Sequence, residues 1–160
     1  MSKLRVILIK HPIWNITSTL IRVALPQSAL HLGTTCHAVV VDGDYGIEAK
    51  MLYLDGYKVK TGIRRVPLTI ALSGATIVND IEFDVPDVEA GLVWARLQVG
   101  KPYDWTGALG LWLAPDRDWQ EDDSFYCYEL AAMTIHKSGR ELFAETGHIT
   151  AREIIGVNPN

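Results

Sequence analysis

The sequence predicts an α+β domain, an antiparallel sheet with helices packed around it, and two patterns carry that prediction. The first is a strand-like stretch from Thr35 to Ile63, interrupted by the pairs Asp42-Gly43 and Asp55-Gly56. Asp-Gly between apolar runs marks a hairpin, because a type I′ turn needs positive φ at both central residues. Two hairpins in succession make a three-stranded antiparallel meander. The second pattern is a pair of helix-like segments further on. One opens at Pro86-Asp87 and runs to about Val99, with Val88, Leu92, Val93 and Leu97 at helical spacing, and the other runs from about Phe125 to Lys137. Strands in a block with helices around them give α+β rather than an alternating α/β order.

The other elements follow the same logic. Leu4 to Ile9 reads as a short strand, and Thr76 to Val85, after Gly74, as another. Asn15 to Leu25 has the caps and apolar spacing of a helix (Leu20, Ile21, Ala24), ended by Pro26. Gly100 and Pro102 stop the helix that began at Pro86-Asp87, and residues 103 to 124 read as a loop rich in Trp, Asp and Gly. Ser138-Gly139 closes the later helix, and Thr150 caps a last one over Ala151 to Ile155. There is no repeat, low-complexity tract or Gly/Ser linker. Residues 1–160 therefore read as one domain, which buries roughly 70% of its unfolded surface.

Composition removes several function classes. Fifteen Lys and Arg against nineteen Asp and Glu give a net charge of −4 with no basic block, which excludes a nucleic-acid footprint. The only cysteines are Cys36 and Cys127, with no Cys-x-x-Cys, so neither a disulfide framework nor a structural zinc is expected. No pair among His31, Cys36, His37, Cys127 and His136 has ligand-type spacing, and no metal or cofactor is expected. The apolar run Val6 to Ile9 is cut by Lys10 and His11, too short for a signal peptide. Gly107 to Pro115 falls far short of the ~20 apolar residues that span a bilayer. Synthesis in the cytoplasm without a transmembrane segment is the expectation, and action outside the cell would need another route of delivery.

Two groups of residues could carry chemistry. If Asp42-Gly43 is the two-residue turn, Val41 pairs with Asp44, and His37 falls directly opposite Glu48 on the same face. A carboxylate beside an imidazole fixes its tautomer and supports the imidazolium. Spacing fits equally an exposed cross-strand His–Glu pair with no chemistry, and that reading stays open. Cys127 is the second candidate. With Ser124 or Asp123 as the cap, it stands in the first turn of a helix, where unpaired N–H groups and the dipole favour a thiolate and could receive an oxyanion. A buried structural cysteine fits the same apolar helix. Cys36, next to His37 on a strand, faces the opposite side and reads as core.

Three segments together resemble the papain-like NlpC family of cell-wall peptidases, in its circularly permuted branch. Leu97-Gln98-Val99-Gly100-Lys101-Pro102-Tyr103-Asp104-Trp105 looks like the family's approach to the nucleophile. Phe125-Tyr126-Cys127-Tyr128-Glu129-Leu130 looks like the cysteine helix, and His37 to Gly43 through Ile47-Glu48-Ala49 like the histidine hairpin. The histidine hairpin precedes the cysteine helix, which is the permuted order. The resemblance implies a papain-like fold, with Cys127 as nucleophile, His37 as base and Glu48 orienting the histidine. It implies that Tyr103 lies beside the nucleophile, with Trp105 in the same approach segment. Two departures stand out. Tyr128 occupies a position where the permuted branch often has serine, which bears on the mouth of the site, and the third polar residue is Glu48, unlike ordinary members.

By this resemblance the leading function is cleavage of an amide bond, with the peptide stem of peptidoglycan as substrate and no cofactor. Two other functions fit the same residues. One is a thioesterase or lipid acyltransferase on the same triad, as in the related lecithin–retinol acyltransferase group, with Trp105, Trp112 and Leu111 to Leu113 as apolar surface. The other is a non-enzymatic phage virion, tail or assembly component that keeps the fold as a scaffold. It would show His37 and Cys127 too far apart to interact, or a site that is plugged.

Overall fold

A computed structural model of the chain describes residues 2–11, 37–106, 123–143 and 149–157. The helix expected over Asn15 to Leu25, residues His31 and Cys36, and most of the loop expected over 103–124 lie outside the described residues. The elements are β1 (Ser2–Lys10), β2 (His37–Asp42), β3 (Tyr45–Asp55), β4 (Lys58–Pro67), α1 (Leu68–Ala71), β5 (Thr76–Val85), α2 (Val88–Leu97), α3 (Cys127–Lys137) and α4 (Ala151–Gly156). Helices and an antiparallel sheet make this an α+β architecture. Among the described residues, no helix is long and apolar enough to cross a membrane.

The five strands are ordered β4-β3-β2-β1-β5, antiparallel throughout. β1 is an interior strand, between β2 and β5, and its residues Val6, Ile7, Leu8 and Ile9 are all fully buried. A strand covered on both faces reads as a continuous apolar run rather than an alternating one. Leu4, Val6 and Leu8 join Ala38, Val40, Ile47 and Ala49 under residues of α2 and α3, while Ile7, Ile9 and Val39 pack with Ala71 of α1. The short helix α1 carries no signal that the sequence analysis used.

Both hairpins form, with turns one residue later than expected. The closing pairs are Asp42↔Tyr45 and Asp55↔Lys58, so the central turn residues are Gly43-Asp44 and Gly56-Tyr57. Gly43 and Gly56 have φ of 59° and 61°, and no described non-glycine residue has positive φ. Glycine in the first turn position followed by an ordinary residue is the type II′ pattern rather than I′. The aspartates stay in the strands. Asp42 there accepts hydrogen bonds from Arg65 (2.6 Å) and Arg96 (3.0 and 2.6 Å), tying β2 to β4 and α2.

The second hairpin contains a bulge. Tyr53 pairs with Lys60 but Lys50 pairs with Gly62, leaving one more residue on β3 than on β4. Gly62 has φ 116°, and a Cβ there would lie 2.3 Å from the Lys101 carbonyl oxygen. This closeness lets the chain after α2 bond to Ile63 in both directions, Ile63 N to Lys101 O and Gly100 N to Ile63 O, each 2.9 Å.

α2 starts where expected, its N-cap Asp87 accepting from the Ala90 amide at 3.0 Å, and ends at Leu97. It packs on α3 at Gly91, where a Cβ would lie 1.9 Å from Ser138 Oγ and 2.6 Å from the Thr134 oxygen. Gly91→Ala should therefore lower stability by about 2 kcal/mol despite alanine's better helix propensity. An unchanged or raised Tm would contradict this helix contact. α3 starts at Cys127 rather than at Phe125. Its N-cap is Tyr126, which makes no side-chain cap bond, so the expected cap at Asp123 or Ser124 is not formed. Phe125 is drawn instead into a parallel bridge with Tyr103. α4 has the expected cap at Thr150, completed by Glu153 as a capping box.

Candidate active site

His37 opens β2, at the end of the sheet where it pairs with Ile9 of β1. Glu48 lies on β3. The observed register, Val40↔Ile47 and Val41↔Gly46, places Glu48 opposite Val39 when continued by one residue. The two side chains are thus diagonal neighbours, two residues from the direct opposition expected, because the turn begins one residue later. A displacement of two preserves side-chain parity, and the pair still meets: His37 Nε2 lies 2.5 Å from Glu48 Oε2. The pair is not exposed. His37 is 7% exposed and Glu48 fully buried, which excludes the solvated His–Glu pair that the spacing left open.

Cys127 is the first residue of α3 and is 5% exposed. Two tethers set that helix start. The Tyr103–Phe125 bridge brings residue 125 against the chain that follows α2, with the Asp104 amide donating to the Phe125 carbonyl at 3.2 Å. Tyr126 Oη donates to the Ile149 carbonyl at 3.1 Å and accepts from the Ile149 amide at 2.9 Å. Burial drives the Tyr126 pKa far above its ordinary value, so the phenol stays a donor. Held in this way, Cys127 is close enough to His37 to help raise the imidazole's pKa.

Electrostatics favours the ion-pair form of His37 and Glu48. Burial alone pushes the His37 pKa down, but hydrogen bonds with Cys127 and Glu48 outweigh it and raise the pKa to about 9. Burial pushes Glu48 up, but the His37 hydrogen bond and charge, followed by Lys50 and Arg64, pull it down to about 2. A raised histidine pKa stabilises the fold in full below its unfolded value of 6.5, and that stabilisation is lost as pH rises through about 9. A depressed carboxylate pKa stabilises in full above 4.5 and is lost as pH falls towards about 2. Urea unfolding of the natural protein and of His37→Gln across this range should show the difference. Relative to the variant, the natural protein should lose stability between pH 6.5 and 9. Parallel curves would mean that His37 holds no extra proton in the fold.

The structure also places the other residues singled out. Tyr103 is buried, and burial followed by the nearby Cys127 charge raises its pKa well above 10. Trp105 stacks edge-on against it at 5.4 Å and is 39% exposed. Tyr128 is buried within the core cluster. The sequence analysis missed two residues. Arg64 of β4 donates to Glu48 Oε1 through Nε (2.7 Å) and Nη2 (2.5 Å). His11, just past β1, is 7% exposed, with its ring 6.3 Å from that of His37. The chain matches no family model, no curated protein and no solved structure.

Proposed function

We propose that this protein is a papain-like cysteine hydrolase of the permuted NlpC type that cleaves an amide bond. One observation carries the reading: the buried His37 is bonded to the Glu48 carboxylate, and Cys127, in the first turn of α3, is near enough to help raise the imidazole's pKa. Cys127 passes its proton to His37, and its sulfur attacks the carbonyl carbon. Amides at the start of α3 receive the oxyanion. The S–C bond forms, the C–N bond breaks, and His37 gives the proton to the departing amine. His37 then activates water, which releases the acid and restores the thiol. Glu48 fixes the ring throughout and balances its charge. The influence of Cys127 on the His37 pKa supports an enzyme over a scaffold whose two residues would stand too far apart to interact.

The substrate class proposed from the resemblance is the peptide stem of peptidoglycan, approached past Trp105, the exposed member of the Tyr103–Trp105 pair, with Tyr128 buried. Delivery to the envelope as part of a phage virion or tail fits a chain made in the cytoplasm. Digestion of purified peptidoglycan by the natural protein and by Cys127→Ala, with products identified by mass, tests this. New peptide ends should appear with the natural protein alone.

A second reading, a thioesterase or lipid acyltransferase on the same triad, has one observation in its favour. The β3–β4 hairpin exposes Leu52, Leu54, Tyr57 and Val59, with Lys58 and Lys60 flanking Val59 in sequence, as a surface suited to a lipid interface would. Release of acyl chains from a long-chain thioester, without products from peptidoglycan, would select that reading.

A further inference from the structure

Glu48 uses its two oxygens on two different cations. Oε2 meets His37, and Oε1 receives both Nε and Nη2 of Arg64. Arg64 is itself fixed on three sides. It is the register partner of Glu48 across β3 and β4, its guanidinium carbon lies 4.7 Å from the centre of the Tyr53 ring, and its side chain is only 14% exposed. A guanidinium cannot give up its proton in a protein, so this charge is permanent. The other titratable or charged groups facing the pair are Cys127 from α3, His11 beyond β1 and Lys50 from β3.

This arrangement solves a problem that a buried His–Glu pair has by itself. In any acid–base cycle His37 must become neutral, and at that moment a buried Glu48 would be an uncompensated anion. An uncompensated buried carboxylate takes up a proton rather than staying charged. The pair would then keep the proton that it has to give up, held on the carboxyl instead of the ring, and would give it up only at a higher pH. We propose that Arg64 is a positioning residue that holds Glu48 ionised and oriented when His37 gives up its proton. It touches neither Cys127 nor a substrate and acts through Glu48. The inference rests on the proposed role of His37 as acid and base.

The pH at which the last proton leaves the His37–Glu48 pair, followed by NMR of the imidazole ring C–H, tests this without a substrate. Arg64→Gln removes the charge but keeps an amide donor for Glu48, and the midpoint should rise by about one pH unit. Arg64→Lys keeps the charge and should leave the midpoint within a few tenths of a unit. A purely structural Arg64 would change Tm in both variants and move neither midpoint. An unmoved or lowered midpoint in Arg64→Gln would overturn the inference. Should Arg64→Gln not fold, the carboxyl ¹³C shift of Glu48 in the natural protein decides. It should report a carboxylate at every pH from about 5 to 10, and a protonated Glu48 in that range would overturn the inference. Failure of the functional reading would look different. The natural protein's His37 would then titrate near its ordinary value and be indifferent to Cys127→Ala.

Discussion

Cys127→Ala should abolish turnover, by at least about 10³-fold, while leaving the fold intact. The side chain sits at the first position of α3, so alanine keeps the helix and its start, and Tyr126 and the Tyr103–Phe125 bridge still anchor it. Loss of one buried sulfur costs about 1 kcal/mol. Cys127→Ser refines the test, since a hydroxyl can keep a hydrogen bond to His37 but is a far weaker nucleophile at neutral pH. Both variants should give the circular dichroism of the natural protein and no product. Retained turnover in Cys127→Ala would move the chemistry elsewhere on the chain.

Glu48→Gln should damage both stability and turnover. An exposed ion pair would be worth at most about 1 kcal/mol, and the amide would then cost little. Glu48 is instead fully buried between His37 and Arg64. Neutralising it leaves the Arg64 guanidinium without a countercharge inside the protein. Removing one partner of a buried ion pair costs about 3 kcal/mol or more. For a domain of this size that is roughly 10 °C in Tm. Turnover should fall as well, because the imidazolium loses the anion that supports it. Thermal unfolding checks the first effect and product release the second. A Tm within a degree or two of the natural protein would mean that the pair is solvated in solution.

Much of the site was legible because it depends on signals carried locally by the chain. Asp-Gly pairs announced the meander, and the apolar spacing and Ser138-Gly139 announced the cysteine helix. Side-chain parity survived the misplaced turn, since a shift of two residues keeps both side chains on one face of the sheet. What stayed hidden depended on single-residue irregularities and on tertiary contact. The bulge near Met51 shifts β4 by one residue, which turns Arg64 rather than Arg65 towards Glu48. From the Gly56-Tyr57 turn alone, Arg65 would have been chosen; it binds Asp42 instead. Burial of Glu48 was likewise unreadable, because alternation along β3 cannot say what covers each face. His11 lies beside His37 only because β1 inserts between β2 and β5, a placement that local pattern does not encode. Phe125 and Tyr126 carry helix-like spacing but are held by Tyr103 and Ile149, which delays α3 to Cys127.

The central claim is that the Cys127 thiol and the His37 imidazole work as one unit, and thiol labelling tests it most directly. Folded protein at pH 7 is treated with limiting iodoacetamide, and the modified cysteine is located by peptide mass over time, in the natural protein and in His37→Ala. The account predicts rapid carbamidomethylation of Cys127 in the natural protein and a rate at least about tenfold lower without His37. Equal rates at Cys127 in the two folded proteins would contradict it.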